Sequence, residues 1–175
     1  MISRILLAVE GSQHALRATE MAAELAEKLN AELGIVHVLM HGRPPAELVH
    51  MAEVEHLVEQ AQAVVSPEAR YVPGSQFQML KDMTAAGKSA RVVSALGDQI
   101  VKQAKARCIE LGVRKVATSV RVGDYADEIL DAAQDQSADM IIVGSRGLGT
   151  LKSAVLGSVS QKVLHHANCA VLTVR

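Results

Sequence analysis

The chain has 175 residues, 49% of them hydrophobic and 21% charged, with a formal net charge of -1. That length suits one ordinary globular domain, able to bury roughly 70% of the surface its unfolded chain would expose. Near-neutral charge and only three aromatic residues, Tyr71, Phe77 and Tyr125, argue against a nucleic-acid interface, which needs basic patches and stacking platforms.

The opening MISRILLAVEGS is too short in its apolar part for a signal peptide and lacks a small-residue cleavage site. No apolar run approaches the ~20 residues of a membrane span. Cys108 and Cys169 are far apart and outside any C-x-x-C, so neither a disulfide framework nor a thiolate zinc cluster is expected. These features describe a cytoplasmic protein with no membrane insertion.

Residues 3–9, SRILLAV, form a continuous apolar run, the pattern of a strand buried on both faces. Glu10-Gly11-Ser12 breaks it. From 12 to 30 the period becomes helical, with Ala15, Ala18, Ala22, Leu25, Ala26 and Leu29 on one face and Asn30 as the stop. LGIVHVLM, 33–40, reads as a second buried strand, so a right-handed strand-helix-strand unit is expected.

Residues 41–96 interrupt the alternation. Pro44-Pro45 leads into a helical period through Leu48, Met51 and Leu57, followed by an irregular excursion containing Pro73, Gly74 and Gly87. This reads as an elaborated crossover between strands two and three. Within it, Gly87-Lys88-Ser89 ends like a phosphate-binding P-loop, but the required earlier glycine is Asp82 and no strand precedes it; an exposed loop is the better reading.

The alternation then returns. A helix is expected over 97–111, a strand over 115–122, a helix carrying Ile129, Leu130 and Ala133, and a strand over 138–144. A helix over 153–167 and a last strand over 169–174 close the chain. The fold class is therefore α/β: an open, five-stranded parallel sheet of Rossmann-like type, with helices on both faces.

The sharpest motif follows the fourth strand: Gly144-Ser145-Arg146-Gly147, then Gly149, Lys152 and Gly157-Ser158-Val159-Ser160. A loop at the carboxyl end of a buried strand opens into the crevice where such sheets bind ligands. Glycines bring backbone close to a bulky anion, and amides at a helix start, with Ser158 or Ser160 hydroxyls, donate to phosphate oxygens. A tight turn with close helix-sheet packing would use the same glycines. Arg146 and Lys152 could add charge, but spacing does not say which faces the site.

The series G-x2-G-x9-G-S, here Gly144, Gly147, Gly157 and Ser158, resembles the nucleotide-binding motif of the ATP-binding branch of the universal stress protein family. ILLAVEGSQHALRATEMAAELA resembles that family's first strand and helix, His37-Val38 the end of its second strand, and VGDYADEIL its turn before the third helix. The similarity spans roughly 1–40 and 97–175 and implies one nucleotide-binding domain over 1–175. It implies that Val38 backbone meets the adenine edge, with Ala8 and Val9 lining the other side. Glu10 stands where the family commonly has an aspartate that reaches the ribose or a metal. Gly144, Ser145, Arg146 and Gly147 would admit sugar and phosphates; Gly157, Ser158, Val159 and Ser160 would hold the phosphate end.

The implied cofactor is ATP, or AMP or another adenine nucleotide, with Mg2+ or Mn2+ accompanying the phosphates. The implied partners are a second copy, paired through the last strand at 169–174, and a protein of unknown identity. The function expected is regulatory binding in a stress response. The sequence offers phosphate donors but no candidate general base, which argues against a dedicated enzyme while leaving room for slow ATP hydrolysis. A nucleotide-independent dimeric interaction module, or an enzyme acting on an adenylated substrate, are the alternatives.

Other polar clusters carry structural readings. His165 and His166 are adjacent on a helix and diverge; His50 and His56 lack helical ligand spacing; His37, in a buried strand, reads as a hydrogen-bonded core residue. Asp124, Asp127, Glu128 and Asp131 read as a solvated helix face, and Cys169 as a small buried hydrophobe.

Overall fold

The structure is a computed structural model that describes residues 1–39, 94, 97–147 and 156–175. Its sheet and helices belong to the unit formed by Met1–Gly42 and Gly97–Arg175. The elements run β1 (Arg4–Ala8), α1 (Gln13–Leu29), β2 (Glu32–Leu39) and α2 (97–110). There follow β3 (Val116–Val122), α3 (Tyr125–Asp135), β4 (Met140–Gly144), α4 (Ser158–His166) and β5 (Ala170–Val174). Except for helical Ser94, the crossover expected over 41–96 lies outside the described residues, as do the Gly87-Lys88-Ser89 stretch, His50 and His56.

All five strands are parallel, in the order β3-β2-β1-β4-β5. β1 is central and apolar on both faces. Its Ile5 and Leu7 pack with the alanines of α1 and with Val101, Ala104 and Cys108 of α2. Leu6 and Ala8 pack on the opposite face with Ala126 and Ile129 of α3 and Val163 of α4. Each such buried leucine or isoleucine is worth about 1.5–3 kcal/mol. Two helices per face make this a doubly wound sheet, as the alternation of patterns predicts.

α1 shows how closely local signals set the boundaries. Ser12 is its N-cap, the Ser12 hydroxyl accepting from the Ala15 N–H at 3.1 Å. Gly11, at φ 85°, supplies the left-handed residue that turns the chain from β1 into that cap. Asn30 ends the helix in the left-handed region at φ 51°. Ala15, Ala18, Thr19, Ala22, Ala23 and Ala26 are buried, and their small size lets the helix lie close to the sheet. Leu29, expected on the same face, is instead 45% exposed, because the helix end runs past the apolar surface it covers.

The last helix is shorter than its predicted 153–167 span. Leu156 and Gly157 are not helical, and Gly157 is an extended N-cap at φ -74° and ψ 159°, so α4 starts at Ser158. Among the described residues β5 lies at a sheet edge and pairs only with β4.

The amino end of the sheet is fixed by Asp139. Its Oδ2 accepts from the Ser3 N–H at 2.7 Å, the Ser3 hydroxyl at 2.9 Å and the Arg4 N–H at 2.9 Å. These donors bring its carboxyl down to about 2. Among the described residues no helix is long and apolar enough to cross a membrane.

Candidate functional site

The strand order reverses at β1: the chain leaves β1 toward β2 on one side, and β4 lies on the other. At such a switch point the loops after the two strands diverge and leave a crevice at their carboxyl ends. Three separate segments meet at this rim: residues 8–12 after β1, 144–147 after β4, and 157–160 at the start of α4.

The second and third segments are tied directly. The Gly157 N–H donates to the Ser145 carbonyl at 2.8 Å, and the Ser160 hydroxyl donates to the Gly144 carbonyl at 2.8 Å. The Ser145 N–H in turn donates to the Val174 carbonyl at 2.6 Å, anchoring the loop to β5. Ser145 is 1% exposed with both backbone groups engaged, so it shapes the loop. Its hydroxyl lies 3.5 Å from His14 Nδ1, at the outer limit of a hydrogen bond.

The glycines divide by role. A Cβ at Gly144 would lie 3.1 Å from the backbone carbon of His14 and 3.2 Å from the Ala15 nitrogen, so this glycine lets the first turn of α1 pack on β4. Around Gly147 and Gly157 the nearest atoms to such a Cβ are 3.6 Å away, ordinary contact distances. None of the three needs a positive φ: among the described glycines only Gly11 and Gly112 adopt one. Their use is closeness of approach and not a special turn.

α4 opens toward the same rim. Its N-cap Gly157 offers no side-chain acceptor, so the amides of Ser158, Val159 and Ser160 lack intrahelical partners. The helix dipole adds positive potential there. Ser158 is exposed, Val159 half-buried against the α3/α4 core, and Ser160 buried with its hydroxyl proton committed to Gly144. Arg146 sits between the two glycines and is itself engaged in an interaction. Residues 148–155, with Gly149 and Lys152, lie outside the described residues.

Across the crevice, β2 runs on to Leu39 while its pairing with β1 ends at Ala8 opposite Val36. The Val9 N–H donates to the Val36 carbonyl at 3.0 Å. Two residues along the pleat, Val38 turns its N–H and C=O to the same side, into the space beyond the end of β1. Ala8 and Val38 both face the α3/α4 side, whereas the Val9 side chain belongs to the α1/α2 core. Ala8 and Val9 therefore line different faces.

Two titratable groups are shifted by this packing. His37 is 2% exposed, and its Nδ1–H donates to the Val9 carbonyl at 2.7 Å, as expected of a core histidine. Its Nε2 is buried without a partner, and burial lowers its pKa. Glu10 accepts from the Ser12 hydroxyl and lies against Gly147, whose absent Cβ would sit 3.6 Å from Oε1. Burial raises the Glu10 pKa, and the Ser12 hydrogen bond opposes that rise.

The acidic face of α3 is structural. Asp124 caps the helix, accepting from the Ala126 and Asp127 N–H groups, and Lys162 bridges Asp124 and Asp127 at 3.1 and 2.8 Å. Among the described residues no group of three or more His, Cys, Asp or Glu is placed to hold a metal ion. Cys108 and Cys169 are free thiols.

Sequence reasoning named Glu10 but not its neighbours Ser12 and His14. For Ser12 the signal was a serine at the start of the helical period, the usual place of an N-cap. The contact of His14 with Ser145 spans 131 positions, and no local pattern encodes it.

A parallel sheet with two helices on each face, and loops that part at its switch point, defines a doubly wound α/β protein. The universal stress protein family model matches residues 1–175, and the chain belongs to that family. It is 33% identical to the universal stress protein YxiE of Bacillus subtilis over 175 residues, covering 100% of each chain. A universal stress protein solved in complex with cAMP shares its fold with a TM-score of 0.59 at 21% identity, covering 99% of this chain and 97% of the other. The universal stress protein of Archaeoglobus fulgidus solved in complex with dAMP does so with a TM-score of 0.57 at 18% identity, covering 100% and 98%.

Proposed function

We propose that this protein is a regulatory adenine-nucleotide-binding protein, with ATP as the leading ligand, whose bound nucleotide controls its conformation or partner affinity in a stress response. The observation that carries this reading is the convergence of two sets of backbone groups on one crevice. Val38 offers a donor and an acceptor beyond the end of β1, suited to the edge of an adenine ring. Across the switch point, the α4 amides of Ser158–Ser160 and the Gly147 backbone suit phosphate oxygens. The cAMP and dAMP complexes of family members support an adenine ligand for this fold.

With no cluster of metal-binding side chains among the described residues, Mg2+ or Mn2+ would be held largely by the phosphates, with Glu10 beside Gly147 as a carboxylate available to it. Among the described residues the rim presents amide donors, with Glu10 bonded to Ser12 and His14 beside Ser145, which favours binding over rapid turnover. The open edge of β5 suits pairing with a second copy.

A thermal-shift series with ATP, ADP, AMP and cAMP tests this. A ligand at 100 times its dissociation constant adds about 2.7 kcal/mol to stability. Gly147→Val, which fills the close approach at the loop, is expected to abolish the shift with the fold intact by circular dichroism. A melting curve unchanged by all four nucleotides would refute the reading and favour a nucleotide-independent interaction module.

A further inference from the structure

Among the described residues of the rim, Glu10 works against an anion. Its carboxyl group does not extend away from the glycine loop: Oε1, Cγ and Cδ lie 3.6, 3.7 and 3.9 Å from the position of a Cβ on Gly147. Ser12 donates its hydroxyl to Oε1 and so holds the group in that seat. By the same measure the Gly157 N-cap lies 3.6 Å from the Arg146 Cα, so the carboxylate and the uncapped start of α4 meet adjacent residues of one short segment of backbone.

A phosphate that meets the Gly147 backbone on its way to the α4 amides therefore passes beside this carboxylate. An aspartate at position 10 would draw the charge back by one methylene. The glutamate brings it onto the loop.

We infer that Glu10 is the charge-selecting residue of this site: seated on Gly147, it penalises each added phosphate charge, so that without a divalent cation it offsets part of what the α4 amides contribute to holding ATP, and least of what they contribute to cAMP. The inference rests on the adenine-nucleotide reading above and adds to it the ligand charge that Glu10 disfavours. It also gives the cation a defined task, screening Glu10 from the polyphosphate. For like charges several ångströms apart at an effective dielectric near 20, less the screening of buffer salt, the selection against a polyphosphate comes to about tenfold in affinity. Arg146 and His14 also border the loop, but both persist when Glu10 alone is changed, so the comparison isolates the carboxylate.

The test is calorimetric titration of the full chain at pH 8 in EDTA, with adenosine, cAMP, AMP, ADP and ATP against wild type, Glu10→Gln and Glu10→Asp. Relative to Glu10→Gln, wild-type affinity is expected to fall progressively along the series. Glu10→Gln is expected to raise ATP affinity about tenfold and AMP affinity less, while adenosine changes by less than about twofold. Glu10→Asp should fall between them. Adding Mg2+ should raise ATP affinity more in wild type than in Glu10→Gln, a comparison that holds if either variant is less stable.

A loss of affinity shared by all five ligands, adenosine included, would overturn the inference and assign Glu10 to the ribose. Identical relative affinities in wild type and Glu10→Gln would overturn it too, leaving nucleotide binding intact. If no ligand binds either protein, the nucleotide reading itself fails and this inference falls with it.

Discussion

The Ser160 hydroxyl donates to the Gly144 carbonyl at 2.8 Å, joining the first turn of α4 to the last residue of β4. The bond is buried, with Ser160 at 3% exposure. It satisfies a strand-end carbonyl and fixes where the helix start sits above the crevice. Its donated proton is not offered to a ligand.

Ser160→Ala is therefore expected to destabilise the protein by about 0.5–1.5 kcal/mol, or a few degrees in Tm, by stranding that carbonyl. Ser158→Ala, at an exposed position two residues earlier, is expected to stay within about 0.5 kcal/mol of wild type. Chemical denaturation of both variants checks the contrast. Equal stability would show that the hydroxyl has no structural role.

The two glycines of the β4 loop should respond differently to alanine. At Gly144 the new methyl would meet main-chain atoms of α1 at 3.1 and 3.2 Å, and helix backbone yields little. Overpacking of this kind costs about 1–3 kcal/mol. At Gly147 the neighbour is the Glu10 side chain at 3.6 Å, an ordinary contact, so the free protein should tolerate Gly147→Ala. Melting temperatures of the two variants without ligand decide the point; comparable losses would mean the loop is as tightly packed as the strand end.

His37 carries a prediction about protonation. A carbonyl can only accept, so the 2.7 Å contact with Val9 requires the proton on Nδ1, and the buried Nε2 is left as a bare lone pair. Burial depresses the pKa below 6.5, so the neutral ring is favoured in the folded state. The stabilising contribution is present above the ordinary histidine pKa and lost as pH falls through the folded value. Long-range 15N–1H correlation spectra at pH 7 should show the neutral Nδ1–H tautomer, the less common one in water. Observation of an imidazolium, or of an Nε2–H ring, would contradict this geometry.

How much of this was legible depended on the range of the interaction. The buried strands announced themselves as apolar runs, because both faces of a parallel sheet are covered. α1 was bounded by Ser12 and Asn30, residues that act within one turn of their own position. The parallel sheet followed from the alternation of strand and helix, and the joint use of Gly144–Gly147 and Gly157–Ser160 from the family resemblance; the strand order was not read. What the sequence did not disclose was the division of labour among those residues. That Gly144 makes room for His14 and Ala15, and that Ser160 serves a carbonyl, depend on contacts across more than a hundred residues or on a side-chain rotamer. Likewise Leu29 matched the helical period yet lies past the end of the surface that period covers.

Glu10 also marks the free protein's stability. Its folded pKa is raised by burial, with the Ser12 hydrogen bond as a partial offset. A carboxyl group with a raised folded pKa contributes stability below its unfolded value near 4.5, and that contribution is lost as pH rises through the folded pKa. Above that point the ionised group is held in a site that disfavours charge. Glu10→Gln keeps an oxygen for Ser12 to donate to and removes the charge, so the variant should melt above wild type at pH 7.5. At pH 4, where the wild-type carboxyl is largely protonated, the two should melt together. Calorimetric scans of both proteins across that range provide the measurement, and a Tm difference independent of pH would show that packing, not charge, separates them.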